Sequence, residues 1–273
     1  MKLAPRNQER FQQATALRDC GRLEEAISEF RALEDEWSLP DEKAAILINV
    51  HRCYCELGRL GEAKEILSEI RQLCPSDPTV CMIVEFGQAC MEIQEDQSIQ
   101  GLTRLEIMLD RYAEALANPE FRYLYEDIQQ RRAFVLTTLG RYGESLHILR
   151  EASNFLTLNV EDRQRIALYT GIAYSELRDG SGLAKEAFSR AIGHELRNDI
   201  EAQSRYRLAL LNVNEGAYAQ AKYQLEALLQ MPESNVVSVS QKFIYEQLSI
   251  VCRYLGEMKD AQRYDMRARN CDK

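Results

Sequence analysis

The stretch Ala44 to Pro75, AAILINVHRCYCELGRLGEAKEILSEIRQLCP, decides how the chain is read. Ile46, Leu47, Val50 and Tyr54 recur at helical spacing, the pattern breaks at Gly58, and a second stripe runs through Ala63, Ile66, Leu67 and Ile70 to Pro75. The spacing predicts a helix, a turn and a helix. Neither helix can bury its stripe alone, so the pair needs a neighbouring pair of the same kind.

The same punctuation returns along the chain. CGRLEEA at 20–26 becomes LGRLGEA at 57–63, LGRYGES at 139–145, EGAYAQA at 215–221 and LGEMKDA at 255–261. Five places after each glycine stands a small residue: Ala26, Ala63, Ser145, Ala221 or Ala261. Seven places before it stand Ala14, His51, Ala133, Ala209 and Ser249, small in every case but His51. Glycine supplies a tight turn, and small residues let two antiparallel helices approach closely.

These features resemble the tetratricopeptide repeat (TPR), in which small and aromatic residues on a first helix are followed by Ala and Phe on a second and then by Pro. Tyr54, Ala63 and Pro75 match in the opening stretch, and Gly171, Tyr174, Phe188 and Ala191 match around an expanded turn at 178–182. Seven units follow, at about 5–38, 42–75, 79–118, 120–156, 160–195, 199–232 and 240–271. No unit has the family's Trp, Asp265 takes an apolar place, and the third unit shows only Phe86, Gly87 and Cys90 clearly. The resemblance implies an all-α fold, a right-handed superhelix (α-solenoid) of about seven TPR-like helix-turn-helix repeats forming one domain over 1–273.

Gly58 and Gly140 lie 82 residues apart, which leaves about ten residues more than two units need. This excess falls in helices expected over about 98–117 and 120–138, with Pro119 at the corner. Five extra residues on each would project roughly 7 Å beyond the layer, carrying Tyr112, Phe121, Tyr123 and Tyr125; these rings are expected to pack on each other or to form a contact patch. A run VVSV at 236–239 reads as a connector. Pro40, Pro75, Pro78, Pro119 and Pro232 fall between units, and Pro5 precedes the first helix. The polar residues of the last helix and Arg6, Asn7, Gln8, Glu9 and Gln12 of the first can cap the ends, so the array reads as complete.

No run of 18 apolar residues occurs, and the amino terminus lacks a signal peptide's apolar core, so a cytoplasmic protein without membrane insertion is expected. The net charge of −9 argues against a nucleic-acid partner. The eight cysteines read as reduced structural residues, Cys20, Cys53, Cys74, Cys81, Cys90 and Cys252 among them lying in or beside apolar stripes. Cys53 and Cys55 point about 200° apart on a helix and cannot clamp a metal by themselves.

His51, His147 and His194 stand in different units without ligand-spaced neighbours, and Gly180-Ser181-Gly182 lacks the strand and Lys-Ser/Thr of a phosphate loop. No catalytic, cofactor or metal motif emerges, and an enzyme is not expected.

In TPR proteins the first helix of each pair lines a concave groove. That face is polar in the early units, with Gln8, Gln12, Thr15, Asn49, Arg52, Glu85 and Gln88. It becomes apolar, aromatic and basic in the later ones, where the candidate partner-binding residues are Arg131, Phe134, Tyr169, Ile172, Tyr206, Arg207, Leu210, Phe243, Arg253 and Tyr254. Such a face suits an amphipathic helix or extended peptide carrying acidic residues. The Lys and paired Asn residues with which related domains hold chaperone tails are absent. The expected function is a non-catalytic interaction module or adaptor. The alternative is a regulatory sensor that changes pitch on binding a signalling peptide or small ligand, and self-association through the groove is a third possibility.

Overall fold

Each apolar stripe read from the sequence becomes a helix, and the helices come in antiparallel pairs because one stripe can be covered only by another. The computed structural model describes residues 5–193 and 197–271, the side chains of 5–7 excepted. His194 and the side chains of Arg6 and Asn7 lie outside the described residues. Among the described residues no strand occurs.

The chain forms two compact units, residues 1–121 and 122–273. The first holds α1 (Pro5–Asp19), α2 (Leu23–Glu36), α3 (Pro40–Glu56), α4 (Leu60–Leu73), α5 (Pro78–Gln94), α6 (Ser98–Arg111) and the short α7 (Ala113–Leu116), followed by a 3-10 turn at Pro119–Phe121. The second holds α8 (Arg122–Thr138), α9 (Tyr142–Ala152), α10 (Val160–Ser175), α11 (Ser181–Ile192), α12 (Asp199–Asn214), α13 (Tyr218–Leu229), a 3-10 turn at Glu233–Asn235, α14 (Gln241–Tyr254) and α15 (Met258–Asn270). Seven hairpins result among the described residues: α1/α2, α3/α4 and α5/α6 in the first unit, then α8/α9, α10/α11, α12/α13 and α14/α15 in the second. Pro5 is the first residue of α1 rather than its forerunner, a place where its missing N–H costs nothing.

Every hairpin turn contains one residue in the left-handed region. Five are the expected glycines, Gly21, Gly58, Gly140, Gly216 and Gly256, at φ between 71° and 78°. In six of the turns the next N–H reaches the carbonyl five residues back, as in Arg59 to Tyr54 (2.9 Å) and Gln97 to Glu92 (2.8 Å), which closes the first helix of each pair. The other two turns use an aspartate in place of the glycine. Asp96 and Asp179, each at φ 62°, take the left-handed place in the third and fifth hairpins, a conformation that short polar side chains tolerate. Gly180, in the same expanded turn, has φ −84°; its lack of a side chain is needed because a Cβ there would stand 2.0 Å from the Tyr174 carbonyl oxygen.

The small residues flanking the turns are buried as expected: Ala14, Ala26, Ala63, Ala133, Ser145, Ala209 and Ala221 are fully covered. His51 fits its small-residue position because its ring is satisfied and its neighbour gives way. Nδ1–H donates to the Ala63 carbonyl (3.1 Å), and the unprotonated Nε2 accepts from the Cys55 thiol (3.5 Å) and faces Gly87, where a Cβ would come within 2.9 Å. Burial lowers the imidazole pKa, so the ring is neutral at pH 7. Asp265, at an otherwise apolar place, accepts from Ser249 (2.5 Å) and pairs with Arg253.

The extra residues of the third unit do not lengthen its helices. The helix expected over 98–117 divides at Tyr112 into α6 and α7, and the 3-10 turn then makes the corner. In the first unit Tyr112 donates to Glu85 (3.2 Å), and in the second Tyr125 packs on Phe155 at 6.4 Å. Cys20 is exposed at a turn rather than beside a stripe, whereas Cys53 and Cys252 are buried and their thiols are pushed up to about 11 by that burial.

In the second unit, polar side chains near the starts of the first helices grip the connectors. Glu126 accepts from the N–H groups of Leu156 and Thr157 (3.3 and 3.0 Å) and from the Thr157 hydroxyl. Gln164 donates to the Ala191 carbonyl (3.0 Å) and accepts from Asn198 (2.9 Å). Asp199 accepts from Val237 and Ser238 N–H (both 2.8 Å), so the VVSV run is the connector the sequence suggests. Burial pushes the Glu126 and Asp199 carboxyls up, but these hydrogen bonds, with those from Arg122 to Glu126 and from the Ser238 hydroxyl and Gln203 to Asp199, outweigh it and hold both below their ordinary values.

Two outcomes follow. Gly87→Ala drives a methyl against His51 and Leu67 and lowers stability by about 1–3 kcal/mol in urea denaturation; Gly143→Ala, with open space around it, does not. Glu126→Gln destabilises by about 1–3 kcal/mol at neutral pH by impairing a buried acceptor. The folded carboxyl resists protonation, so its contribution is complete above the unfolded value of about 4.3 and is lost as pH falls through the lower folded one. The wild-type denaturation midpoint therefore drops more steeply than that of Glu126→Gln below about pH 4.3.

Candidate functional site

The ten candidate residues all fall in the second unit, on α8, α10, α12 and α14. Consecutive first helices touch over three of these, α8 against α10 and α10 against α12, so the side chains of those three form a continuous wall, while α14 packs on α13. Three features start the helices in register: Asn159 and Asp162 build a capping box on α10, Asn198 caps α12 through Glu201 N–H (3.1 Å), and α14 follows the gripped connector.

At one end of the wall Phe134 stacks on Tyr169, with centroids 4.3 Å apart and an interplanar angle of 22°. Phe134 is only 9% exposed, so it holds two hairpins together and offers little surface. Tyr169 and Ile172 are half-buried, Ile172 packing on the core that includes Phe188 and Leu208. Tyr206 and Leu210 are likewise half-buried. Burial pushes the Tyr206 phenol up, and Glu246 adds to that shift while Arg207 opposes it. Glu246 is a carboxylate on this face that the sequence reading did not single out. At the far end Phe243 is 53% exposed.

The basic candidates differ from one another. Arg131 lies 3.6 Å from Asp127, and Arg253 pairs with Asp265 on α15. Among the described residues Arg207 has no carboxylate within ion-pair distance. Tyr254 does not join the Tyr206 side of the wall. Its ring lies parallel to Tyr218 of α13 at 4.4 Å, and it remains 66% exposed. The structure thus brings Phe134, Tyr169, Ile172, Tyr206, Arg207 and Leu210 onto consecutive first helices, while Arg253 and Tyr254 belong to contacts with second helices. A face assignment from helical period alone does not separate these groups, because a partner helix captures a side chain through its length as much as through its angle.

Among the described residues no three His, Cys, Asp or Glu side chains converge as metal ligands, and no helix is long and apolar enough to cross a membrane. His147 is exposed beside Glu151 at 3.6 Å.

No protein-family model matches the chain. No curated protein matches it in sequence. Solved structures do match in fold. The apo form of the quorum sensor NprR from B. thuringiensis superposes with a TM-score of 0.73 at 13% identity, covering 97% of this chain and 75% of that one. A Rap protein complexed with Competence and Sporulation Factor gives 0.69 at 12% identity, over 98% of this chain and 77% of the other. PilF of Pseudomonas aeruginosa gives 0.65 at 19%, over 85% and 92%.

Replacing the buried ring separates packing from surface. Phe134→Ala costs about 3–5 kcal/mol in denaturant unfolding, whereas Phe243→Ser, at an exposed ring, stays within about 1 kcal/mol of wild type. With its paired turns, small-residue contacts and these matches, the chain has the TPR-type fold of stacked α-hairpins.

Proposed function

We propose that the second unit is a non-catalytic module that binds a peptide or a helix of a protein partner along α8, α10, α12 and α14. The observation that carries this reading is the partly covered run Tyr169, Ile172, Tyr206 and Leu210 beside Arg207, which has no carboxylate within ion-pair distance among the described residues, together with the exposed Phe243. Half-buried rings on rigid helices lose little entropy on binding, and a guanidinium free of carboxylates can pair with an acidic side chain of the partner. Glu246 sets a limit on that pairing, so an acidic group is taken near Arg207 and excluded nearer Glu246. The fold match to NprR, solved with and without its cognate peptide NprX, supports peptide binding as the class of activity.

A random-peptide library displayed against the whole protein tests this. Selected peptides are expected to lose at least tenfold in affinity, about 1.4 kcal/mol, with Tyr206→Ser, Leu210→Ser or Arg207→Gln. Unchanged affinity in all three variants with intact helical circular dichroism rejects the groove. The second reading is a sensor whose units rearrange on binding; it predicts a peptide-dependent change in the radius of gyration measured by solution scattering.

A further inference from the structure

The second unit carries a cavity of about 380 Å³ between α9, α10 and α11. On α10 it is lined by Arg163, Ile166, Thr170 and Tyr174. Thr170 and Ile172 are two residues apart, about 200° around the helix, so this cavity lies on the face of α10 opposite the wall described above. Its volume falls at the low end of the roughly 300–1,000 Å³ range of small-ligand sites.

The charge on its lining is unusual for this chain. Arg150, Arg163 and Arg190 reach it from three different helices or their starts, with Glu186 the opposing charge. Among the described residues none of the three guanidinium groups has a carboxylate within ion-pair distance, in a protein of net charge −9 whose other arginines pair widely. Arg150 is instead turned onto Tyr174, donating to its hydroxyl oxygen at 3.2 Å, which leaves the phenolic proton to donate. The hydroxyls of Thr170 and Ser153 already donate to backbone carbonyls. Donors facing the cavity are therefore the arginines and Tyr174, while Leu149, Leu158 and Ile166 supply an apolar floor.

Comparable hollows elsewhere act as internal controls. The one between α4, α5 and α6, about 580 Å³, pairs Lys64 with Glu95 (2.6 Å) and Arg104 with Glu92 (2.5 Å), while Arg71 donates to Gln88 (3.5 Å), an excess of one positive charge. The one on α12 and α13, about 190 Å³, pairs Arg205 with Glu201 (2.7 Å). Hollows of this kind follow from stacking hairpins; an excess of two positive charges in one does not.

We infer that the α9–α10–α11 cavity binds a phosphate monoester attached to an apolar group. A dianion with three acceptor oxygens matches three guanidinium groups and offsets the excess charge, and the floor takes the apolar part. This site is independent of the peptide-binding reading. The ester can come from a phosphorylated side chain of a polypeptide or from a free small molecule; the recognising chemistry is the same.

Isothermal titration of the whole protein with phenyl phosphate, inorganic phosphate, phenol and benzoate tests the assignment. Saturable one-to-one binding of phenyl phosphate is expected, at least tenfold tighter than the other three. It should weaken at least tenfold in Arg163→Gln and Arg190→Gln and as salt rises, but not in Lys259→Gln, which removes the same charge elsewhere. Absence of saturation to about 10 mM, equal binding of benzoate, or equal weakening by Lys259→Gln overturns it. Helical circular dichroism shows that the variants remain folded. A phosphotyrosine peptide binding more tightly than phenyl phosphate assigns the site to phosphorylated polypeptides, and equal affinity assigns it to free esters; either result supports the pocket.

Discussion

Close approach of two antiparallel helices across a single left-handed residue is the constraint on which this protein is built. The turn forces the second helix back along the first, and the backbones can then meet only where neither side carries bulk. Ala26, Ala63, Ser145 and Ala221 occupy that contact and are completely buried. Where a larger group enters, something opposite must be missing: His51 is received by Gly87, and the Phe188 ring by Gly171, where a Cβ would come within 2.5 Å. The packing rule is thus satisfied pair by pair rather than by a uniform motif, which is why the repeats diverge in sequence while keeping their geometry.

Stacking one hairpin on the next is a separate problem, solved in the second unit by polar grips. Glu126, Gln164 and Asp199 each bind a connector and satisfy backbone groups that no helix can reach. Because these side chains sit near the starts of first helices, they also fix how far one first helix slides along its neighbour. The stacking of Phe134 on Tyr169 depends on that register. Scaffold and proposed binding surface are consequently one system: the wall is sealed where Phe134 stacks on Tyr169, and it stays partly exposed at Tyr206, Leu210 and Phe243.

Charge follows a similar division. Arginine at the start of α2, α4 and α9 folds onto a glutamate three residues later, in Arg22–Glu25, Arg59–Glu62 and Arg141–Glu144. Such exposed pairs contribute little to stability, but they neutralise the turns. Others outside this pattern are paired too, as in Arg104–Glu92, Arg205–Glu201 and Arg253–Asp265, but a few have no carboxylate within ion-pair distance among the described residues. Arg207 stands on one face of the second unit, and Arg150, Arg163 and Arg190 meet on another.

The recurring glycine, its flanking small residues and the two apolar stripes of 44–75 already determine that the chain is a series of helical hairpins, because turn conformation and helix contact are local demands that a particular residue type must meet. The same local logic does not decide which residue of the fifth turn becomes left-handed, since Asp179 can adopt that conformation as Gly180 can, and it extended a helix through Tyr112 because nothing in the period there marks a break. Side-chain length, hydrogen-bond competition and approach across long sequence separations are properties of the folded chain. Only the tertiary structure could therefore seal Phe134, turn Tyr254 onto Tyr218, occupy Arg253 with Asp265 and gather three arginines from 150, 163 and 190 around one cavity.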